Sequence, residues 1–159
     1  MTIEAQIGIL LIRHKMTLAV AESCTGGLVG NLITNISGSS EYFLGGIIAY
    51  NNSIKTDMLG VKKETIERFG AVSEETAKEM AKNVQEKFCS DIGLSITGIA
   101  GPSGGSPEKP VGLTYIGVAI KDIVIVRKFI WRGDRIENKQ QSANAALEII
   151  KKYGEVYKT

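Results

Sequence analysis

The sequence is poor in the residues that most hydrolytic and metal-dependent chemistries use. Its 159 residues include one histidine, His14, which falls on the apolar stripe of an N-terminal helical pattern. A Ser-His-Asp or Cys-His arrangement would have to use it, and that position disfavours both. The two cysteines, Cys24 and Cys89, are too few for a disulfide framework, which suits a reducing compartment. They also lie too far apart for a zinc cluster. A carboxylate-only metal site stays open, but no cluster of Asp and Glu supports one. No apolar run approaches the roughly 18 residues that span a bilayer. The opening MTIEAQIGILLIRHK is interrupted by Glu4 and Gln6 and does not read as a secretory signal. These features lead to the expectation of a cytoplasmic protein.

Charge of one sign is also missing. The formal net charge is +2, with no block of Lys and Arg. Duplex binding relies on a basic face, so no nucleic-acid partner is expected. The doublets Lys62-Lys63 and Lys151-Lys152 read as solvated helix faces. A Walker A run is absent, and TGIAGPSGG does not match the dinucleotide fingerprint.

What is present suits one compact domain over residues 1–159, with a hydrophobic fraction of 43% and a charged fraction of 23%. Ile3, Ile7, Leu10, Leu11 and His14 recur at helical spacing. Met16 to Glu22 reads as a buried strand. Leu28, Val29, Leu32, Ile33 and Ile36 make one stripe of a helix from about Thr25 to Asn35, ended by SGSS. A second strand, Gly45 to Asn51, precedes a short helix from Ser53 to Leu59. Ser73, followed by Glu74 and Glu75, opens a helix whose buried face is Ala77, Met80, Ala81, Val84 and Phe88. Ile92 to Ile99 is a third strand. After the loop AGPSGGSPEKPVG, strands Leu113 to Ile120 and Ile123 to Trp131 form an antiparallel hairpin across Lys121-Asp122. A last helix starts near Asp134 or Arg135, with Ala143, Ala146, Leu147 and Ile150 on one side. This order predicts an α/β fold, a three-layer α/β/α sandwich with a mixed sheet including the late antiparallel hairpin.

The stretch AESCTGG, Ala21 to Gly27, places Ser23, Cys24 and Thr25 where a strand hands over to a helix. Free backbone N–H groups and the helix dipole there can stabilise an oxyanion, and Gly26 and Gly27 leave room for a substrate. A serine nucleophile needs a base; without histidine, a lysine with a lowered pKa is the available choice. The residues alone favour the plainer reading, in which Ser23, Cys24 or Thr25 is a helix N-cap. Likewise Cys24 reads as a small filler, Tyr50 as packing and Lys55 as a surface charge. Arg135 near a helix start opposes the dipole, which points to an anionic partner. The long Gly/Pro loop has the length of functional loops.

Four stretches, AESCTGGLVGNLIT, GSSEYFLGGIIAYNNSIKTDMLGV, GAVSEETAKEMA and SITGIAGPSGGSPEKPVGLTYIGVA, resemble the C-terminal domain family of the competence/damage-inducible protein CinA. The match is ordered and runs from about Met16 to Ala146. The resemblance implies a nicotinamide-nucleotide amidase, which converts nicotinamide mononucleotide to nicotinic acid mononucleotide and ammonia in bacterial pyridine-nucleotide salvage. It implies no metal or cofactor, a small-molecule substrate and a homo-oligomer. Some relatives carry a further N-terminal domain similar to molybdopterin-binding proteins; this chain looks like the stand-alone form. Residue by residue, the family's serine and lysine fall on Ser23 and Lys55, its tyrosine on Tyr50 and its strand-end hydroxyl on Thr97. Its late arginine falls on Arg135, with Arg132 three residues away.

Beside this resemblance, Ser23 is expected to attack the carboxamide carbon while Lys55 takes its proton and Tyr50 orients the site. Backbone N–H groups of Cys24, Thr25 and Gly26 would hold the oxyanion. Thr97, Gly98 and Gly101 would border the substrate and Arg135 would pair with its phosphate. Glu22 points either to the site or to the other face of its strand. The rival reading is a nucleotide-binding or regulatory module of the same fold without catalysis. An accessory role in DNA uptake would need salt-sensitive DNA binding, which the near-neutral charge does not support.

Overall fold

The computed structural model describes residues 1–158. Helix α1 (Ile3–Arg13) leads to β1 (Leu18–Glu22), α2 (Leu28–Thr34), β2 (Phe43–Ile48), α3 (Asn52–Asp57), α4 (Lys63–Phe69) and α5 (Glu74–Phe88). Strand β3 (Ile92–Gly98), the hairpin β4 (Leu113–Ile120) and β5 (Ile123–Ile130), and α6 (Arg135–Val156) complete the chain. The sheet order is β2-β1-β3-β4-β5. β1 pairs in parallel with β2 and β3; β3–β4 and β4–β5 are antiparallel. This is the expected three-layer fold with a mixed sheet.

The two faces of the sheet are built from different residue sizes. Every residue of β1 is buried, yet side chains still alternate between faces. Leu18 and Val20 join Leu94, Ile96, Ile116 and Val118 in the larger core under α1, α2 and α6. Ala19 and Ala21 face Met80 and Val84 of α5 in a smaller core, joined by Ile54 of α3 and Ile66 of α4. On this second face α5 comes very close. A Cβ on Gly93 would stand 2.3 Å from the Ala81 carbonyl oxygen, and one on Gly117 2.8 Å from that of Ala77. Ser95 Oγ donates to the Ala77 carbonyl at 2.6 Å. The strip of small residues lets α5 lie on the strands, which fixes the height of the segment leading into it.

Two boundaries and one whole helix differ from the sequence expectation in ways that bear on the site, beside shifts of one or two residues elsewhere. Helix α2 begins at Leu28 rather than near Thr25, because Gly26 (φ 61°) and Gly27 (φ 102°) hold a left-handed turn before it. β2 stops at Ile48; Ala49 makes one further bond to β1 through its N–H, and Tyr50 and Asn51 lead into α3 instead of extending the strand. Helix α4 has no counterpart in the expectation. Only Thr65 is buried in it, and its start has no side-chain cap of its own. It is placed by Glu79 of α5, which accepts from Lys62 N at 2.9 Å and from Thr65 Oγ1 at 2.5 Å.

The chain leaves β1 toward α2 on one face and leaves adjacent β2 toward α3 to α5 on the other. In open α/β sheets the crevice outside the carboxyl ends of two such strands is where ligands bind. Gly93→Ala or Gly117→Val would force α5 off the sheet. Each is expected to lower unfolding free energy by about 2–3 kcal/mol; urea midpoints within experimental error of the parent protein would contradict the close-packed strip.

Candidate active site

Ser23 follows β1 directly. Its N–H donates to the Ile96 carbonyl of β3 at 2.9 Å, and the Ala49 N–H donates to the Glu22 carbonyl at 2.7 Å. Backbone bonds from both neighbouring strands therefore fix the serine before any side chain takes part. Lys55 sits on the last turn of α3, whose start is capped by Asn51 Oδ1 accepting from Ser53 N. The helix points Lys55 back into the crevice. Lys55 Nζ lies 3.0 Å from Ser23 Oγ, 2.8 Å from the Ala49 carbonyl and 3.2 Å from the Tyr50 carbonyl.

The electrostatics of this contact are unusual for lysine. Lys55 is 2% exposed and Ser23 7%. Among the described residues no carboxylate forms an ion pair with Lys55. Burial without a counter-ion disfavours the ammonium and pulls the Lys55 pKa down from its ordinary value; the neighbouring Cys24 partly opposes this. A neutral amine has two N–H donors and one lone pair. Two carbonyls at hydrogen-bond distance match the donors and leave the lone pair for the Ser23 hydroxyl. The protonated amine would donate to the same three oxygens, so either state is satisfied and a proton can come and go without rearrangement.

The crevice encloses about 160 Å³, bounded by Ser23, Cys24, Tyr50, Lys55, Thr97 and Gly98, with Asn52, Ala71, Val72, Ala100 and Arg135 toward its mouth. A larger hollow of about 800 Å³ beside Lys78 and Cys89 lies at the opposite end of the sheet. Size alone therefore does not locate the chemistry.

Tyr50 contributes through two separate groups. Its carbonyl faces Lys55, whereas its phenol, on a 60% exposed side chain, accepts from Arg135 Nη2 at 3.0 Å. Arg135 Nη1 also donates to the Gly101 carbonyl at 2.8 Å, so it closes the mouth between β2 and the Gly/Pro loop. Arg132 is exposed and lies outside the crevice lining. Thr97 is buried and its hydroxyl donates to the Ala71 carbonyl at 2.8 Å, which ties the end of β3 to the segment before α5. Gly98 has no room for a side chain: a Cβ there would meet Thr114 Oγ1 at 2.7 Å and Cys24 Sγ at 3.1 Å. Burial pushes the Cys24 thiol up to about 11, which makes it a poor nucleophile.

Three expected site residues, Thr25, Gly26 and Gly101, are not among the residues that line the crevice. Thr25 is buried with its hydroxyl unpartnered, and Gly26 faces Lys139 of α6. The Gly26 N–H donates to the Ser23 carbonyl at 3.1 Å, while Cys24 and Thr25 N–H donate to no backbone carbonyl. Of the three N–H groups expected to hold an oxyanion, only that of Gly26 is thus already engaged with a backbone carbonyl. None of Ser23, Cys24 and Thr25 is the N-cap of α2; that position is Gly27, which has no side chain to cap with. Glu22 does the capping. Its carboxylate points to the α2 face, where Oε1 accepts from Val29 N at 2.5 Å and Oε2 is buried without a partner. The spacing of a carboxylate six residues before the helix hides this role from the usual cap pattern.

Asn138 is a second residue that pattern reading passes over. It is buried on α6, donates to the Ala100 carbonyl at 3.0 Å and accepts from Gly133 N at 2.9 Å. Lys109 Nζ donates to the Phe69 carbonyl at 2.5 Å from the other side. The long loop is thus held at both flanks. Among the described residues no group of three or more His, Cys, Asp or Glu side chains is gathered in a way that would hold a metal.

Burial raises the Glu22 pKa above its ordinary 4.5, more than the Val29, Gly30 and Gly27 N–H groups and Lys139 lower it. The folded protein then binds a proton that the unfolded chain has released, so this carboxyl costs stability as pH rises through the raised pKa. Glu22→Gln keeps the cap oxygen and removes the charge. Its thermal midpoint is expected to match the parent near about pH 4 and to exceed it near about pH 8. A parent protein more stable than the variant at the higher pH would contradict this reading of Glu22.

Three comparisons place the chain among known proteins. The family model "CinA C-terminal domain" matches residues 1–153. A "CinA-like protein" of Kosmotoga olearia is 52% identical over 143 residues, covering 90% of this chain and 35% of the relative. The chain thus spans about a third of the length of the curated relatives it matches. The crystal structure of a competence/damage inducible protein from Agrobacterium tumefaciens is 37% identical, covers 93% of each chain and superposes with a TM-score of 0.88. A CinA superfamily structure from Klebsiella pneumoniae shares the fold at a TM-score of 0.94 with 24% identity, covering 98% of this chain and 97% of that one. The chain belongs to the CinA C-terminal domain family.

Proposed function

We propose that the protein is an amidohydrolase that cleaves the carboxamide of nicotinamide mononucleotide, releasing ammonia and nicotinic acid mononucleotide. The observation that carries this reading is the 3.0 Å contact between Ser23 Oγ and a buried Lys55 amine that has no carboxylate partner among the described residues. Structural lysines of small domains are solvated or ion-paired. An amine held dry against a hydroxyl is the arrangement that activates a serine where no histidine serves. The choice of substrate rests on the resemblance to the amidases of this family.

In the proposed reaction Ser23 Oγ attacks the carboxamide carbon and passes its proton to Lys55 Nζ. The carbonyl oxygen becomes an oxyanion facing the Cys24 and Thr25 N–H groups. Collapse of the intermediate breaks the C–N bond, and Lys55 returns its proton to the departing nitrogen, giving ammonia and an acyl-serine. Water then attacks the acyl carbon while Lys55 takes its proton; the Ser23 oxygen leaves with that proton, and the acid is released. Atoms and charge balance without a metal or redox partner. Thr97 and Gly98 shape the wall beside the reacting carbon, and Arg135 at the mouth faces the phosphate.

Ser23→Ala and Lys55→Met are each expected to lower ammonia release from nicotinamide mononucleotide by about 10³-fold or more, with far-UV circular dichroism unchanged. Substantial activity in either variant ends the proposal. A correctly folded parent protein that binds the nucleotide without releasing ammonia would favour the binding-module reading instead. Lys55 must be neutral to accept a proton, so kcat/KM rises with pH through the Lys55 pKa. The midpoint of that limb is expected below the ordinary lysine value of 10.5; a profile still rising at that value would contradict Lys55 as the base.

A further inference from the structure

Arg135 and Lys139 lie one helical turn apart on α6, so their side chains share a face. Like charges at that spacing repel, and both cations sit in the first turns, where the helix dipole opposes them. The acids that would relieve this are otherwise engaged. Asp134 Oδ1 accepts from Glu137 N at 2.9 Å, and Glu137 Oε2 accepts from Asp134 N at 2.8 Å, forming the capping box of α6. Among the described residues neither Arg135 nor Lys139 forms an ion pair. Arg135 spends two of its five N–H donors on Tyr50 and Gly101. No hydrogen bond from Lys139 to the protein occurs among the described residues.

The position of Lys139 relative to the serine turn gives this pair its meaning. Its Nζ stands 3.9 Å from the point a Cβ on Gly26 would occupy, and Gly26 has none. Its field reaches Glu22 and Cys24, on either side of Ser23. Arg135 lines the crevice beside Tyr50, and Lys139 stands one turn farther along α6, next to Gly26 of the turn that follows Ser23. A half-buried ammonium with three free donors on a flexible stem is suited to a compact, multiply charged anion.

We propose that Lys139 acts with Arg135 as a two-cation clamp on the substrate's phosphate, which makes it a residue that determines specificity for the phosphorylated substrate. This inference rests on the amidase reading for its substrate and extends it to a residue that the sequence did not single out. The guanidinium takes phosphate oxygens from the mouth and the ammonium takes them from beside the serine turn. The clamp holds the nucleotide so that its carboxamide end reaches Ser23. Glu22 supplies the competing explanation, in which Lys139 only offsets the field of a buried carboxylate. That role would serve phosphorylated and unphosphorylated substrates equally.

The test compares nicotinamide mononucleotide with nicotinamide riboside, the same amide without its phosphate, for the parent protein and Lys139→Met. The variant keeps the aliphatic stem and removes the charge. The ratio of kcat/KM values, mononucleotide over riboside, is expected to fall by about tenfold or more, mostly through KM. Lys139→Arg is expected to restore most of the ratio. An equal loss on both substrates, or an unchanged ratio, overturns the clamp. If the parent protein hydrolyses neither amide, the amidase reading fails by itself, and calorimetry with nicotinic acid mononucleotide decides the clamp. Lys139→Met is then expected to weaken binding by about fivefold or more; equal affinities, or no binding to the parent protein, overturn it.

Discussion

The site depends on one constraint: an amine must stay dry and uncompensated beside a hydroxyl. Lys55 reaches three oxygen acceptors, and among the described residues no carboxylate pairs with it. A solvated lysine at the same distance would remain an ammonium and would hold the serine as a hydrogen-bond donor only. Burial raises the cost of that charge, and backbone carbonyls supply acceptors that fit either protonation state. The end of β2 provides these carbonyls because, after the Ala49 N–H makes its bond to the Glu22 carbonyl, the chain turns into α3 instead of continuing as a strand. The strand's early stop is therefore part of the site.

The rest of the fold places this contact. β1 delivers Ser23 and is held on both sides by parallel partners, which fixes the serine backbone at the floor of the sheet's end. The thin face of the sheet lets α5 settle close, and Thr97 then bonds the end of β3 to the Ala71 carbonyl just ahead of it. Glu22 and Gly27 divide the work of starting α2 between a buried carboxylate and a left-handed glycine. The anion position at the helix N-terminus is filled by the protein's own side chain. In the proposed reading a substrate phosphate is therefore met by cations elsewhere, those of the first turns of α6.

Much of this was legible in the sequence where local rules and burial agree. The α5 pattern, with Ser73 as cap and Glu74 and Glu75 in the first turn, places that helix correctly. The hairpin across Lys121 and Asp122 follows from its tight link. The approach of Lys55 to Ser23 did not follow from spacing, because residues 32 apart meet only once the sheet is assembled; the family resemblance supplied that pairing. α4 was missed because its anchors lie on α5. The late start of α2 was missed because an apolar stripe does not report the φ values of Gly26 and Gly27. Alternation along a strand does not say which face carries the chemistry, so the sequence alone leaves Glu22 between two faces. The motif does not report where Thr25 and Gly26 sit: the Thr25 side chain is buried and Gly26 lies beside Lys139.

The protonation of Lys55 is the most direct measure of the account. Nuclear magnetic resonance of protein labelled at the lysine side chain, assigned with Lys55→Met, follows that amine alone as pH is raised. The account predicts a titration midpoint below the ordinary 10.5, with the other lysines near their usual range. A Lys55 midpoint at or above that value would show an ammonium unsuited to accept the serine proton, and the proposed chemistry would fail with it.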